Sequence, residues 1–172
     1  MKAIDIIKDL SMFIILVLLQ ALVLNSITLF GVAVPILYIY FIIKQPLGRN
    51  RFYVILSAFL IGLVIDMFLN TPGVNAAATT IVATLRSLLV FILYPKNEIV
   101  GMVPSIRSGA SAFVKYTIVM VLLHQIFLFT IDAITLFNLN HTLIRIASSS
   151  ALTVILIIAS DSLFFRKGRI SG

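Results

Sequence analysis

Gly62 to Arg86 reads GLVIDMFLNTPGVNAAATTIVATLR, and its reading decides the fold. An acid, Asp66, precedes the uncharged turn Asn70-Thr71-Pro72-Gly73, and a small-residue stretch then returns to an arginine, Arg86. Both flanks are otherwise apolar enough to sit in lipid. Ionised groups at membrane depth are expensive and face a protein interior or a watery pathway. The stretch therefore predicts a membrane hairpin whose charges serve packing or a pathway. Pro72 and Gly73 suit the two central positions of a type II turn, where glycine accepts the positive φ, so the hairpin is expected to be tight.

The rest of the chain is equally one-sided. Of its 172 residues, 61% are hydrophobic and 11% charged, and the mean hydropathy is +1.17. A soluble domain carries about 25% charge. The composition specifies an all-α integral membrane protein, and residues 1–172 read as one polytopic domain with no room for a soluble one. The absence of cysteine removes disulfides, thiolate catalysis and most zinc designs. The net charge of +7 reports topology before it reports a partner, and no nucleic acid is expected. Lys2 to Asp9 before an apolar run imitates a secretory signal. Gln20 and Asn25 inside that run, with no Ala-x-Ala pattern after it, instead predict an uncleaved first span.

The apolar stretch Leu10 to Ile43 is too long for one crossing, which needs roughly 20 residues. Asn25-Ser26, Gly31 and Pro35 divide it into helices over about Ile6 to Leu24 and Val32 to Ile43. Four more are predicted over Phe52 to Leu69, Val74 to Leu93, Phe113 to Phe137 and His141 to Phe165, making six transmembrane helices in one bundle. This arrangement places eleven of the thirteen Lys and Arg residues on one side, and none in the three links on the other. The positive-inside rule then puts both termini in the cytoplasm. Five spans would split the basic residues between the two sides. The link Tyr94 to Ser111 alternates breakers with apolar residues and is expected on the membrane surface, with a partner contact the lesser reading.

Depth gives meaning to the charges. Asp66, Asp132 and Arg145 are predicted at one level near the non-cytoplasmic side. Arg145 is placed to pair with Asp132 across the 138–140 turn, or with Asp66. Structural pairing outweighs a proton or ion relay, because ion-pair networks hold buried groups without any transport role. Arg86 lies past the midplane, too deep for Asp66, and is expected to reach backbone carbonyls or to snorkel toward headgroups. Thr117, His124 and Asp132 line one face of the fifth helix. Arg145, Ser149, Thr153 and Ser160 line one face of the sixth, at helical spacing. Interhelical hydrogen bonding is the reading preferred over a cavity. His124 has no companions for a metal site. Neither a nucleophile–base pair nor a phosphate cradle is present, so no enzyme, cofactor or metal is expected. Ala58 and Gly62, then Ala76, Thr80 and Thr84, then Ala147 and Ala151 form small faces that let helices approach closely. The face of Ala76, Thr80 and Thr84 is the candidate for a partner helix, with packing inside the bundle as the competing reading.

Three segments resemble the rod shape-determining protein MreD family of the bacterial cell-elongation machinery. They are LVLLQALVLN, then FGVAVPILYIYFII closing with Gln45-Pro46, then GLVIDMFLNTPG with the alanine-rich helix after it. The resemblance covers nearly the whole chain, and the last segment is its most specific part. It implies a non-enzymatic scaffold in the cytoplasmic (inner) membrane. The implied partners are MreC, the MreB filaments, and the synthase RodA with penicillin-binding protein 2. The family's fold is similar to the six-helix S-component of energy-coupling-factor vitamin transporters, which supplies the alternative of a small-molecule transporter subunit. Short non-cytoplasmic turns weigh against that alternative.

Overall fold

The computed structural model describes residues 3–27, 32–94, 101–132 and 139–166. Its helices are α1 (Ala3–Leu22), α2 (Ile39–Ile43), α3 (Arg51–Leu69), α4 (Val74–Leu93), α5 (Ala110–Asp132) and α6 (Leu139–Arg166), with a short 3-10 turn at Leu24–Ser26. All but α2 are long and apolar enough to cross a membrane, so the protein is consistent with a multi-pass membrane protein. The fifth helix of the sequence reading extends to Phe137; residues 133–137 of it lie outside the described residues.

The second predicted helix is corrected. Only Ile39–Ile43 is helical, and residues 34–37 are non-helical. This stretch runs beside α6. The Val34 N–H donates to Ser149 Oγ (3.0 Å) and the Ile36 N–H to Thr153 Oγ1 (3.0 Å). Two residues of the stretch thus pass four of α6, roughly 3 Å per residue, the rise of an extended chain. Extended backbone covers distance twice as fast as helix. Residues 32–43 can therefore match a hydrocarbon thickness of about 30 Å with far fewer residues than a helix. Pro35, with the β-branched Val32, Val34 and Ile36 around it, disfavours a helix there.

The ends of the elements give the direction of each pass. Asp9 near the start of α1 pairs with Arg49 (2.8 Å) and accepts from the Tyr53 hydroxyl (2.8 Å) at the start of α3. The starts of α1 and α3 therefore share one end of the bundle, and residues 32–43 make the return pass. Lys44 pairs with Asp161 of α6 (2.7 Å) at this same end. We call it the basic end, after Lys8, Lys44, Arg49, Arg51, Arg107 and Lys115. The far end carries the α3–α4 turn.

α3, α4 and α5 pack closely, with α6 against α5. At Gly62 an added Cβ would stand 2.6 Å from Ala76 Cα, so only glycine permits this α3–α4 approach. Asn70 closes α3 in the left-handed region (φ 53°), as residues past helix ends often do. Gly73 adopts φ 81° and ψ 2°, the values of the third residue of a type II turn.

The described part of the link after α4, residues 101–109, is tied to the bundle. Leu47 and residues 101–102 exchange backbone hydrogen bonds (Leu47 N–H to Met102 O, 2.7 Å; Gly101 N–H to Leu47 O, 3.1 Å). Lys44 Nζ donates to Pro104 O (2.8 Å), and the Ile106 N–H to Asp161 (2.9 Å). Met102 and Ile106 pack on the core. Of the apolar residues that suggested the membrane surface, Met102 and Ile106 thus pack on the core and Val103 is exposed, while Ile99 and Val100 lie outside the described residues.

Gln20 holds the non-helical stretch from the other side, donating to Pro35 O (3.0 Å) and accepting from the Leu37 N–H (2.8 Å). Gln20→Leu strands both buried groups, at about 1–3 kcal/mol each. Ser149→Ala strands one. Thermal unfolding in detergent micelles is expected to show Gln20→Leu as clearly the more damaging substitution.

Candidate functional site

Asp66 is buried, yet no arginine pairs with it among the described residues. Its Oδ1 accepts from Thr71 Oγ1 (2.7 Å), the Asn75 N–H (2.9 Å) and Asn75 Nδ2 (2.8 Å), and its Oδ2 from the Ala76 N–H (2.8 Å). The acid thus reaches across the turn and caps α4, whose own N-cap, Gly73, has no side chain to do so. A carboxylate at a helix N-terminus meets unpaired N–H groups and the positive end of the helix dipole. Those groups replace the cation expected of Arg145.

From Asp66 a directed hydrogen-bond chain enters the bundle. The Tyr38 hydroxyl donates to Asn75 Oδ1 (2.6 Å) and lies 3.2 Å from His124 Nε2. Its one proton is committed to Asn75, so His124 must donate from Nε2 to the phenolic oxygen. The order is His124 to Tyr38 to Asn75 to Asp66, all buried. Beside it a crevice of about 210 Å³ opens at the far end, lined by Gln20, Tyr38, Thr71, Asn75, Asp132 and Arg145 among others.

Arg145 pairs with Asp132 at 3.2 Å, as one of the two expected pairings has it. The pair is not buried: the two side chains are 30% and 42% exposed. Arg145 lies over the Phe129 ring (4.4 Å) and meets Asp132 along the crevice rim. A pair this open contributes at most about 1 kcal/mol. Arg86, by contrast, is buried and donates to the carbonyls of Gln45 and Pro46. Backbone carbonyls were one of its two expected partners, and they tie α4 to the turn that follows α2.

The polar stripes do bond, but not chiefly to each other. Ser149 and Thr153 serve the non-helical stretch, and Thr153 also meets Gln125 Nε2 (3.4 Å). Thr117 and His124 are fully buried on α5. The small faces divide: Ala58, Gly62 and Ala76 are inside, with Ala76 against Gly62. Thr80 and Thr84 are half-buried, their hydroxyls turned back to Ala76 O (2.6 Å) and Thr80 O (2.8 Å). Ala147 and Ala151 stand exposed on α6.

Sequence reasoning missed the most buried charge. Asp161 has no exposed surface and accepts from Lys44, the Tyr40 hydroxyl (2.9 Å) and the Ile106 N–H. The signal was available, because Ser149, Thr153, Ile157 and Asp161 recur every four residues along one face. Reading that stripe as ending at Ser160 put its last polar group on the wrong side of the helix.

Among the described residues no group of three or more His, Asp or Glu gathers. Comparison with protein-family models, curated proteins and solved structures finds no match. The arrangement is a set of hydrogen-bonded clasps: Asp66 on α4, Arg86 on the 45–46 turn, and Asp161 with Lys44 at the basic end.

Removing one member of the Lys44–Asp161 pair leaves an uncompensated buried charge, a loss of roughly 3–5 kcal/mol. Lys44→Met and Asp161→Leu are each expected to destabilise on that scale. The double variant should lose much less than their sum, as a double-mutant cycle of unfolding free energies reads directly.

Proposed function

We propose that this protein is a non-catalytic membrane scaffold of the cell-elongation complex, as the resemblance to MreD implies. It sits in the cytoplasmic membrane and binds MreC, and through MreC or directly it couples to MreB and to RodA with penicillin-binding protein 2. On this reading the chain makes six passes in an S-component-like bundle. Its basic end and both termini face the cytoplasm.

One observation supports the scaffold reading above others. Ala147, Ala151 and Ala159 recur on the exposed side of α6, with Ile144 and Ile155 among them. Helices associate in lipid by close van der Waals packing, which small residues allow. The small face picked from the sequence, Ala76 with Thr80 and Thr84, is turned at least partly into the bundle. The α6 row is therefore the better seat for MreC's single transmembrane helix.

The second reading, a transporter subunit, would place its ligand in the far-end crevice. At about 210 Å³ it is smaller than the roughly 300–1,000 Å³ of ordinary ligand pockets. Co-purification from native membranes distinguishes the two: MreC in one case, an ATPase module in the other.

Ala151→Leu is expected to reduce MreC recovery while leaving the unfolding temperature of the isolated protein nearly unchanged, since an exposed substitution costs within about 0.5 kcal/mol. Thr80→Leu should do the opposite, lowering stability first. Separately, reporter fusions at Lys2 and Gly172 are both expected to read as cytoplasmic; a split result would remove the six-pass reading.

A further inference from the structure

Between α1 and α6 lies a cleft of about 380 Å³, walled by Met12 and Leu19, floored by Leu37 and Tyr40, and ending at Lys44 and Ser160. Only 17% of the residues along α1's apolar stretch are buried, against 50% along α5. Here α1 stands off, and the part-extended segment is open to the cleft. We propose that the cleft holds one acyl chain of an anionic phospholipid, whose headgroup rests against Lys8 at the basic end.

The lining is almost wholly hydrocarbon, the chemistry that an acyl chain matches. Water does not suit it, because water needs two to four polar partners.

Charge sets the lipid's orientation. Lys8 lies one turn before Met12, so both point to the same side of α1. It is exposed and makes no ion pair among the described residues. Lys44, at the cleft's polar end, is held by Asp161 and Pro104 O, so the headgroup falls to Lys8. The neighbouring acid on α1, Asp9, is neutralised by Arg49. Arg51, Arg107 and Lys115 are exposed at the same end, and a basic end of this kind attracts anionic headgroups.

The test is native mass spectrometry of the full chain released from micelles carrying phosphatidylglycerol or phosphatidylcholine. One phosphatidylglycerol is expected to stay bound, in preference to phosphatidylcholine. Lys8→Gln should cut that preference about fivefold, and Met12→Trp, which fills the cleft, should abolish retention of either lipid. Equal retention of the two lipids by the unaltered chain would overturn the proposal, as would a preference that survives Lys8→Gln or retention that survives Met12→Trp. A photoreactive residue at position 12 in native membranes adds an independent outcome. Lipid adducts support the cleft as a chain site, and crosslinking to a protein helix refutes it. The proposal does not depend on the scaffold reading and stands or falls apart from it.

Discussion

Backbone amides and carbonyls cannot be left unpaired in a medium without water. That constraint governs this protein, because residues 34–37 cross its interior without helical hydrogen bonds. Gln20 supplies both a donor and an acceptor from α1, and Ser149 and Thr153 supply acceptors from α6. Three polar side chains thus replace what a helix would provide for itself. Because they come from α1 and α6, the two outermost long helices are positioned by a stretch that has no regular structure of its own.

The charges obey the same logic. Asp66 finds the N-terminus of α4, Arg86 finds two carbonyls, and Asp161 finds a lysine, a phenol and an amide. Each holds a place where regular hydrogen bonding stops: a helix start, a turn, a folded link. Ionisable side chains at depth serve here as substitutes for missing backbone partners. None needs a moving proton to account for its position.

What the sequence made legible follows from how local each feature is. The α3–α4 hairpin's position was readable, because Asp66 and the turn residues stand close together in sequence; that Asp66 caps α4 instead of meeting Arg145 was not. The return pass of residues 32–43 was also readable, since the distribution of basic residues demands it. Its conformation was not. The groups that make a non-helical pass tolerable sit at positions 149 and 153, and no local pattern near Pro35 announces them. The partners of Asp161 were hidden for a similar reason: Lys44 and Ile106 come from links read as topology signals and surface. The exposure of Asp132 and Arg145 was beyond reach as well, because depth counted along a helix does not say which way a side chain faces.

The separation between residues 34–37 and their partners bears on how the chain is made. Synthesis is directional, and Gln20 has already emerged when Pro35 enters the bilayer. Ser149 and Thr153 emerge only after more than a hundred further residues. Throughout that interval the Val34 and Ile36 N–H groups have no permanent acceptor, whereas the α3–α4 hairpin carries its own cap and is complete as soon as Ala76 has been added. Until α6 is made, those two N–H groups are left to water or to other polar groups. The non-helical stretch is thus completed by α6, a helix made more than a hundred residues later.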